Sequence, residues 1–356
     1  MTLTDSLIRD MEYALHEVYD EGRHLSTAIQ RALRHHHADA ETTALVRHRM
    51  MQAVRYGDIR AGVNGDLDGV HDPQRLVMTD ALRQRLSPTE LWCYDGPTFV
   101  RVNLLKTTVE DALEALAPFR PVFIENVCIR LDAPYGLYRS QAYTLGWVEQ
   151  QDINSQRASR MVDARPGLRV IDACAGTGGK TMYMSMVMGQ KGRIISMDVV
   201  PSKLQELRER AQRIGTSIVE TRLVDSTKVV KRLYDSADRV LIDAPCTGTG
   251  VVRRNPDMLH RIDTTAIAEL HVKQQDISHR AIRMTKPGGQ WTYIVCSVLP
   301  EEGPTMVRWL LEREPASELI EERQWTIGED DGDAFYAAVV RRSTATTVSV
   351  TKSGDA

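Results

Sequence analysis

The chain has 356 residues, 42% of them hydrophobic, and a formal net charge of −3, which suits a globular protein of two or three domains and excludes a polycation that holds nucleic acid with its whole surface. No run of about 18 apolar residues occurs, and Asp5, Arg9 and Asp10 stand where a signal peptide needs an apolar stretch, so a cytoplasmic protein without a membrane partner is expected. The cysteines Cys93, Cys128, Cys174, Cys246 and Cys296 are odd in number and lack CxxC spacing, which indicates neither a disulfide framework nor a zinc site.

The first segment, 1–70, reads as helices. Apolar residues recur at helical spacing in Leu7, Met11, Leu15 and Val18, then Leu25, Ile29 and Leu33, then Leu45, Met50, Met51 and Val54. Its polar face carries Arg31, Arg34, Arg47, His48, Arg49, Arg55 and Arg60. That face could track an RNA backbone or simply be a solvated helix surface. His35, His36 and His37 point in three directions on a helix and cannot converge on one metal ion. Gly57, Gly62, Gly65, Gly69 and Pro73 then break the pattern and mark a linker.

Segment 71–145 is read as that linker plus a small α+β unit, with strand-like runs at Phe99–Val102, Val122–Ile124 and Val127–Leu131 and a helix over Val109–Leu116. From 146 to 342 strands alternate with helices, the pattern of a parallel sheet covered on both faces. The strands fall at Leu168–Ala173, Arg193–Asp198, Ile218–Val224, Arg239–Asp243 and Gln290–Cys296, with helices starting near Thr181, Ser202, Thr264 and Glu301. Asp263 caps the third of these helices, and Pro287-Gly288-Gly289 turns the chain into the last strand. The polar tail 343–356 reads as a frayed end.

The first of these strands runs into a glycine-rich turn, Cys174, Ala175, Gly176, Thr177, Gly178, Gly179 and Lys180, where backbone amides can approach a ligand closely. The turn is not a Walker A loop, because two residues rather than four separate Gly176 from Gly179. Asp172, Asp198, Asp225 and Asp243 each follow an apolar run, and such a rim suits a sulfonium cation better than a triphosphate. Asp198 is placed to accept both ribose hydroxyls of an adenosyl ligand. Cys246 follows the fourth strand and Cys296 ends the fifth, so both thiols emerge on the same rim. Thiols there suit methyl transfer to C5 of cytosine, a poor nucleophile until a thiolate adds at C6. Asp243 is best placed to steady charge near N3. Lys180 and the helix starting near Glu301 are candidates for activating a thiol whose free pKa is about 8.5.

Together, DACAGTGGKT (Asp172–Thr181), DAPCTGTGVVRRNPD (Asp243–Asp257) and VCSVLPEEG (Val295–Gly303) resemble the Nop/Sun (RsmB-type) family of RNA 5-methylcytosine methyltransferases, and the match extends upstream to RVNLLK (Arg101–Lys106) and EQQDINSQ (Glu149–Gln156). The helical N-terminus is similar to the NusB-like domain of bacterial members. The resemblance implies a Rossmann-like, class I S-adenosylmethionine-dependent methyltransferase sheet, preceded by the α+β unit and an all-helical domain. It also implies a cofactor loop over Cys174–Lys180, with Asp198 on the ribose, Asp225 near the adenine and Asp243 close to the methionine end and the target base. Cys296 would be the nucleophile, with Cys246 assisting product release. Arg253 and Arg254 are candidate RNA contacts, 16S ribosomal RNA is the expected substrate of a monomeric, metal-free enzyme, and transfer RNA is an alternative target. The chain departs from the family pattern at Gly176-Thr177, Val295 and Gly303-Pro304. A catalytically silent RNA-binding assembly factor is the competing reading. An amino-methylating enzyme would want a [DN]-P-P-[YF] strand end, and Asp243-Ala244-Pro245-Cys246 lacks the stacking aromatic.

Overall fold

In the computed structural model, which describes residues 3–68, 70, 72–87, 91 and 96–344, the N-terminal periodicity is met by helices α1 (Asp5–Asp20), α2 (Leu25–Ala32), α3 (Ala40–Tyr56) and α4 (Ile59–Asn64). Cys93, Gly69 and the tail after Thr344 lie outside the described residues. The side chains of Thr4, Asp39 and Asp58 cap α1, α3 and α4, and Leu7, Met11, Leu15, Ile29, Met50 and Val54 meet in one apolar core. The glycines after α3 do more than break it. Gly57 and Gly65 end helices in left-handed conformation, whereas Gly62 sits inside α4, where a Cβ would stand 2.3 Å from that of Ala53.

The stretch expected as a linker is packed. With α5 (Asp80–Arg83), it sets Leu76, Met78, Leu82, Leu86 and Leu91 against Val252, Leu259 and Leu299 of the catalytic half. The α+β unit is an antiparallel sheet of order β2-β3-β1-β4, made by β1 (Thr98–Val102), β2 (Pro121–Glu125), β3 (Cys128–Leu131) and β4 (Val148–Gln150), with α6 (Val109–Ala115) and α7 (Gln141–Thr144) beside it. Strand β4, three residues long, escaped the periodicity, so this unit continues past the expected boundary at 145.

After α8 (Ile153–Arg160) comes a sheet of seven strands. They are β5 (Arg169–Asp172), β6 (Arg193–Asp198), β7 (Val219–Leu223), β8 (Ala237–Asp243), β9 (Thr285–Val295), β10 (Ser317–Trp325) and β11 (Phe335–Arg342), in the order β10-β11-β9-β8-β5-β6-β7. The strands from β9 through β7 are parallel neighbours, and β11 runs antiparallel between β9 and β10. Helices α9 (Gly179–Val187), α10 (Pro201–Ile214), α11 (Thr227–Lys231), α12 (Met258–Arg261), α13 (Thr264–Ile282) and α14 (Pro304–Arg313) complete the unit. Side chains alternate between the two faces of the sheet. Val170, Ile194, Leu241 and Ile294 pack with Ala158 and Met184 on one face, while Ile171, Ile195, Val240 and Val295 pack with Ala281, Met306 and Leu310 on the other.

Several expectations shift. Asp263 does cap α13, accepting from the Ala266 amide at 2.8 Å, but that helix ends at Ile282, and Pro287-Gly288-Gly289 lies within β9 as an irregularity in its pairing with β8. Helix α14 begins at Pro304 rather than near Glu301, since proline suits a first helical position whose amide would be unpaired anyway. The chain order reverses between β5 and β8, and a doubly wound sheet opens its crevice at the carboxyl ends of such a pair.

Gly62→Ala tests the close contact of α3 with α4. Helix propensity alone predicts stabilisation of about 1 kcal/mol, whereas the overlap with Ala53 predicts a loss of about 1–3 kcal/mol, so urea unfolding followed by circular dichroism should move to lower denaturant.

Candidate active site

The loop after β5 is shaped by its neighbours. Gly178 has φ of +90°, and a Cβ there would stand 2.7 Å from the Leu207 side chain of α10, so both backbone conformation and close packing call for glycine. The Gly176 amide donates to Asp198 Oδ2 at 2.9 Å, and the Val200 amide donates to Oδ1 at 2.8 Å. Each carboxylate oxygen keeps a second lone pair for a ligand. From behind, Arg210 donates to the carbonyl and hydroxyl of Thr177, both at 2.9 Å, and Arg101 donates to the Gly179 carbonyl at 3.1 Å. Arg101 is fully buried, and desolvation brings its guanidinium down to about 10.

Three of the four strand-end carboxylates face the rim. Asp198 and Asp243 are partly exposed, and Asp225, two residues beyond the end of β7, is exposed. Asp172 is turned inward instead, 1% exposed, with its Oδ2 accepting from the Thr181 hydroxyl at 2.7 Å. Burial raises its carboxyl to about 7. Cys174 is likewise pushed up, by burial first and then by Asp172, Asp243 and Asp198, which marks the cluster of negative charge at the crevice. Val199 lies 67% exposed just after Asp198. The donor set fits S-adenosylmethionine: a glycine turn for its amino-acid end, acidic oxygens for a ribose, and rim carboxylates for a cation.

Lys180 spans the crevice. Its Nζ lies 2.7 Å from Asp243 Oδ2 and 5.2 Å from the centre of the Phe335 ring. Burial works against its charge, but attraction to Asp243 and the hydrogen bond to it outweigh burial and hold the ammonium above its ordinary range, with Cys296 adding to that field. The two thiols meet as well: Cys246 and Cys296 sulfurs are 3.5 Å apart. The hydrogen bond to Cys296, with burial, pushes the Cys246 thiol well above its usual range. Gly250 fixes the loop that carries Cys246. Its amide donates to the Cys296 carbonyl at 3.0 Å, and a Cβ there would stand 2.3 Å from the Ala334 carbonyl oxygen.

The two candidate RNA contacts are both held in ion pairs. Arg253 is 3% exposed and donates to Asp152 and Asp333, and Arg254 binds the same two carboxylates. Both guanidinium groups are committed to tying the segment before α8 to the start of β11. In the same way Arg55, expected on a polar helix face, is buried and donates to the Arg253 carbonyl at 2.9 Å. His36 pairs with Asp10 at 2.7 Å. Upstream, Glu149 is buried against Arg210 and Arg213, so the motifs around Arg101 and Glu149 brace the cofactor loop.

A sheet of this strand order, with an acidic crevice and a glycine turn at its switch point, defines a class I, Rossmann-like methyltransferase. A family model for the 16S rRNA methyltransferase RsmB/F matches residues 159–341, and the chain belongs to that family. Among curated relatives, the ribosomal RNA small subunit methyltransferase B of Yersinia pseudotuberculosis is 31% identical over 259 residues, covering 69% of this chain and 60% of the relative. That of Yersinia enterocolitica is 31% identical over 254 residues, covering 68% and 59%. The chain thus spans about 60% of the length of the curated relatives it matches. In fold it is similar to PH0851, with TM-score 0.80 and 20% identity over 96% of this chain and 99% of that one. It is also similar to NSun6 from Pyrococcus horikoshii with SFG, with TM-score 0.65 and 16% identity over 84% and 98%.

Arg253→Ala leaves Asp152 and Asp333, both buried, to share Arg254 alone and should destabilise the fold by about 3–5 kcal/mol, measured by urea unfolding. Undiminished stability together with RNA affinity lost in a salt-dependent way would return Arg253 to the role of a phosphate contact.

Proposed function

We propose that the chain is an S-adenosylmethionine-dependent RNA (cytosine-C5) methyltransferase acting on small-subunit ribosomal RNA, with Cys296 as covalent nucleophile. The observation that carries this is the pair of thiols 3.5 Å apart at the crevice that Lys180 and Asp243 close. A single thiol can be a core residue. Two on successive loops, with their sulfurs in contact, match a reaction that needs one sulfur to add and a second group to help it leave.

The loop from Cys174 through Lys180, with Asp198 and Asp225, would hold the cofactor, which supplies an electrophilic methyl group. Cys296 adds to C6 and makes C5 a carbon nucleophile. Asp243, oriented by Lys180, would act at the N3 edge of the base as the acid that steadies the charge appearing during addition. After methyl transfer a base takes the C5 proton, the electrons of that C–H bond re-form the C5–C6 double bond and the C6–S bond breaks to free Cys296 as a thiolate, with Cys246, 3.5 Å from that sulfur, placed to assist the release.

A route for the RNA supports the same reading. Two clefts of about 750 and 720 Å³ share Tyr138, Gln150 and Arg254; one reaches Gly179 and Phe335, the other Arg47 on α3. Tyr138 is 59% exposed and stands edge-on to Tyr143 at 4.8 Å, which leaves a face on which an unpaired base can stack. The exposed Arg47 enters no ion pair among the described residues. A target base must leave its stack to reach these thiols, so a loop or single-stranded segment is the expected substrate.

Cys246→Ala incubated with cofactor and 16S RNA should accumulate a protein–RNA adduct on denaturing gels, and the adduct should vanish in Cys246→Ala/Cys296→Ala. A wild type that neither methylates nor forms adduct would favour a silent assembly factor. Tyr138→Ala should weaken single-stranded RNA binding by roughly 5- to 100-fold, the range of one lost base stack of about 1–3 kcal/mol, with cofactor affinity unchanged in calorimetry.

A further inference from the structure

Behind the thiols lies a buried carboxylate that the chemistry above does not use. Glu302 is 0% exposed. Its Oε1 accepts from the Thr247 amide and from Gln274 Nε2, both at 2.9 Å. Its Oε2 accepts from the hydroxyls of Thr247 and Ser297, both at 2.5 Å. Among the described residues no cation pairs with it. Thr247 directly follows Cys246, and Ser297 directly follows Cys296. Gln274 of α13 also donates to the Pro245 carbonyl at 2.9 Å, and the Tyr293 hydroxyl donates to the backbone carbonyl of Glu302 at 2.8 Å. One carboxylate therefore grips both thiol-bearing loops, each at the residue after its cysteine. Burying a carboxylate among neutral donors is unfavourable compared with an apolar core of the same shape. Here its negative charge also helps to raise the Cys246 thiol, after Cys296 and burial.

We infer that Glu302 is a positioning residue for methyl transfer: by holding Thr247 and Ser297 it sets the spacing and orientation of Cys246 and Cys296. It touches no substrate atom and acts through Thr247 and Ser297. This assignment rests on the proposed roles of the two thiols.

The test compares Glu302→Gln, which keeps the shape and removes the charge, with wild type in two assays. In the first, alkylation of each cysteine by iodoacetamide is followed against pH and resolved by peptide mass mapping, with no RNA present. The alkylation midpoint of Cys246 should move to lower pH in the variant, while that of Cys128 stays in place. In the second, kcat for methylation of 16S RNA should fall on the order of 10- to 100-fold, as small misplacement of a reacting group does, with a displaced pH–rate profile and KM for RNA and cofactor within about twofold, since the residue reaches neither ligand. Should Glu302→Gln fail to fold, Ser297→Ala, which cuts one hydroxyl link and keeps the charge, must itself lower kcat without raising KM. An unmoved Cys246 midpoint with wild-type kcat, in whichever variant folds, overturns the inference. A wild type that methylates nothing while its Cys246 midpoint still responds to Glu302→Gln overturns the proposed function and leaves the grip of Glu302 on the thiol pair standing.

Discussion

The Lys180–Asp243 ion pair joins the two loops that the topology brings together. Lys180 opens α9 just after β5, and Asp243 ends β8, so the 2.7 Å contact closes the switch point of the sheet. Lys180 is almost wholly buried, and an ammonium in that position persists only when it is paired. Its charge is supported by Cys296 just after β9, and its ammonium lies over the Phe335 ring at the start of β11. The glycine turn, the strand-end carboxylate of Asp243 and the thiols thus share one electrostatic anchor.

That anchor needs rigid surroundings, and these are supplied largely from outside the methyltransferase sheet. Arg101 on β1 and Arg210 on α10 fasten the carbonyls of the glycine turn, Glu149 on β4 neutralises Arg210 and Arg213, and Asp152 with Asp333 enclose Arg253 and Arg254. Arg55 reaches from α3 to the same arginine cluster through the Arg253 carbonyl. Buried ion networks contribute little net stability compared with apolar packing, yet they are intolerant of losing one member. The N-terminal units are therefore fastened to the active site by the kind of interaction that fixes geometry.

How far the sequence reveals this depends on whether a residue's role is set by local pattern or by distant partners. Strand ends with aspartate or cysteine were legible because apolar runs announce strands, and a parallel sheet puts their carboxyl ends on one rim. Asp198, Asp243, Cys246 and Cys296 meet there. Strand β4 was too short to show periodicity, and β10 is almost entirely solvent-exposed, so it offers no apolar alternation to read. The ion pairs of Arg253 and Arg254 were hidden for a different reason. Adjacent arginines next to a thiol loop look like a phosphate grip until Asp152 and Asp333, about 100 and 80 residues away in sequence, are found against them. Gly62 failed likewise, because its close neighbour is Ala53 on another helix rather than a turn of its own.

The thiol pair unites these themes. Two sulfurs 3.5 Å apart cannot titrate independently: whichever ionises first becomes the acceptor for the other's proton. The surroundings of the two differ. Cys296 adds to the field that holds the Lys180 ammonium, while burial and the carboxylate of Glu302 oppose negative charge on Cys246. A cation thus stands at one end of the crevice and an anion behind the other. The strand order explains why both are available. Lys180 comes from the helix after β5 and Glu302 from the turn after β9, and β8, which carries Cys246 on its outgoing loop, lies between these two strands. Charges of opposite sign therefore reach the loop after the central strand from its two neighbours, and the thiol pair lies between them.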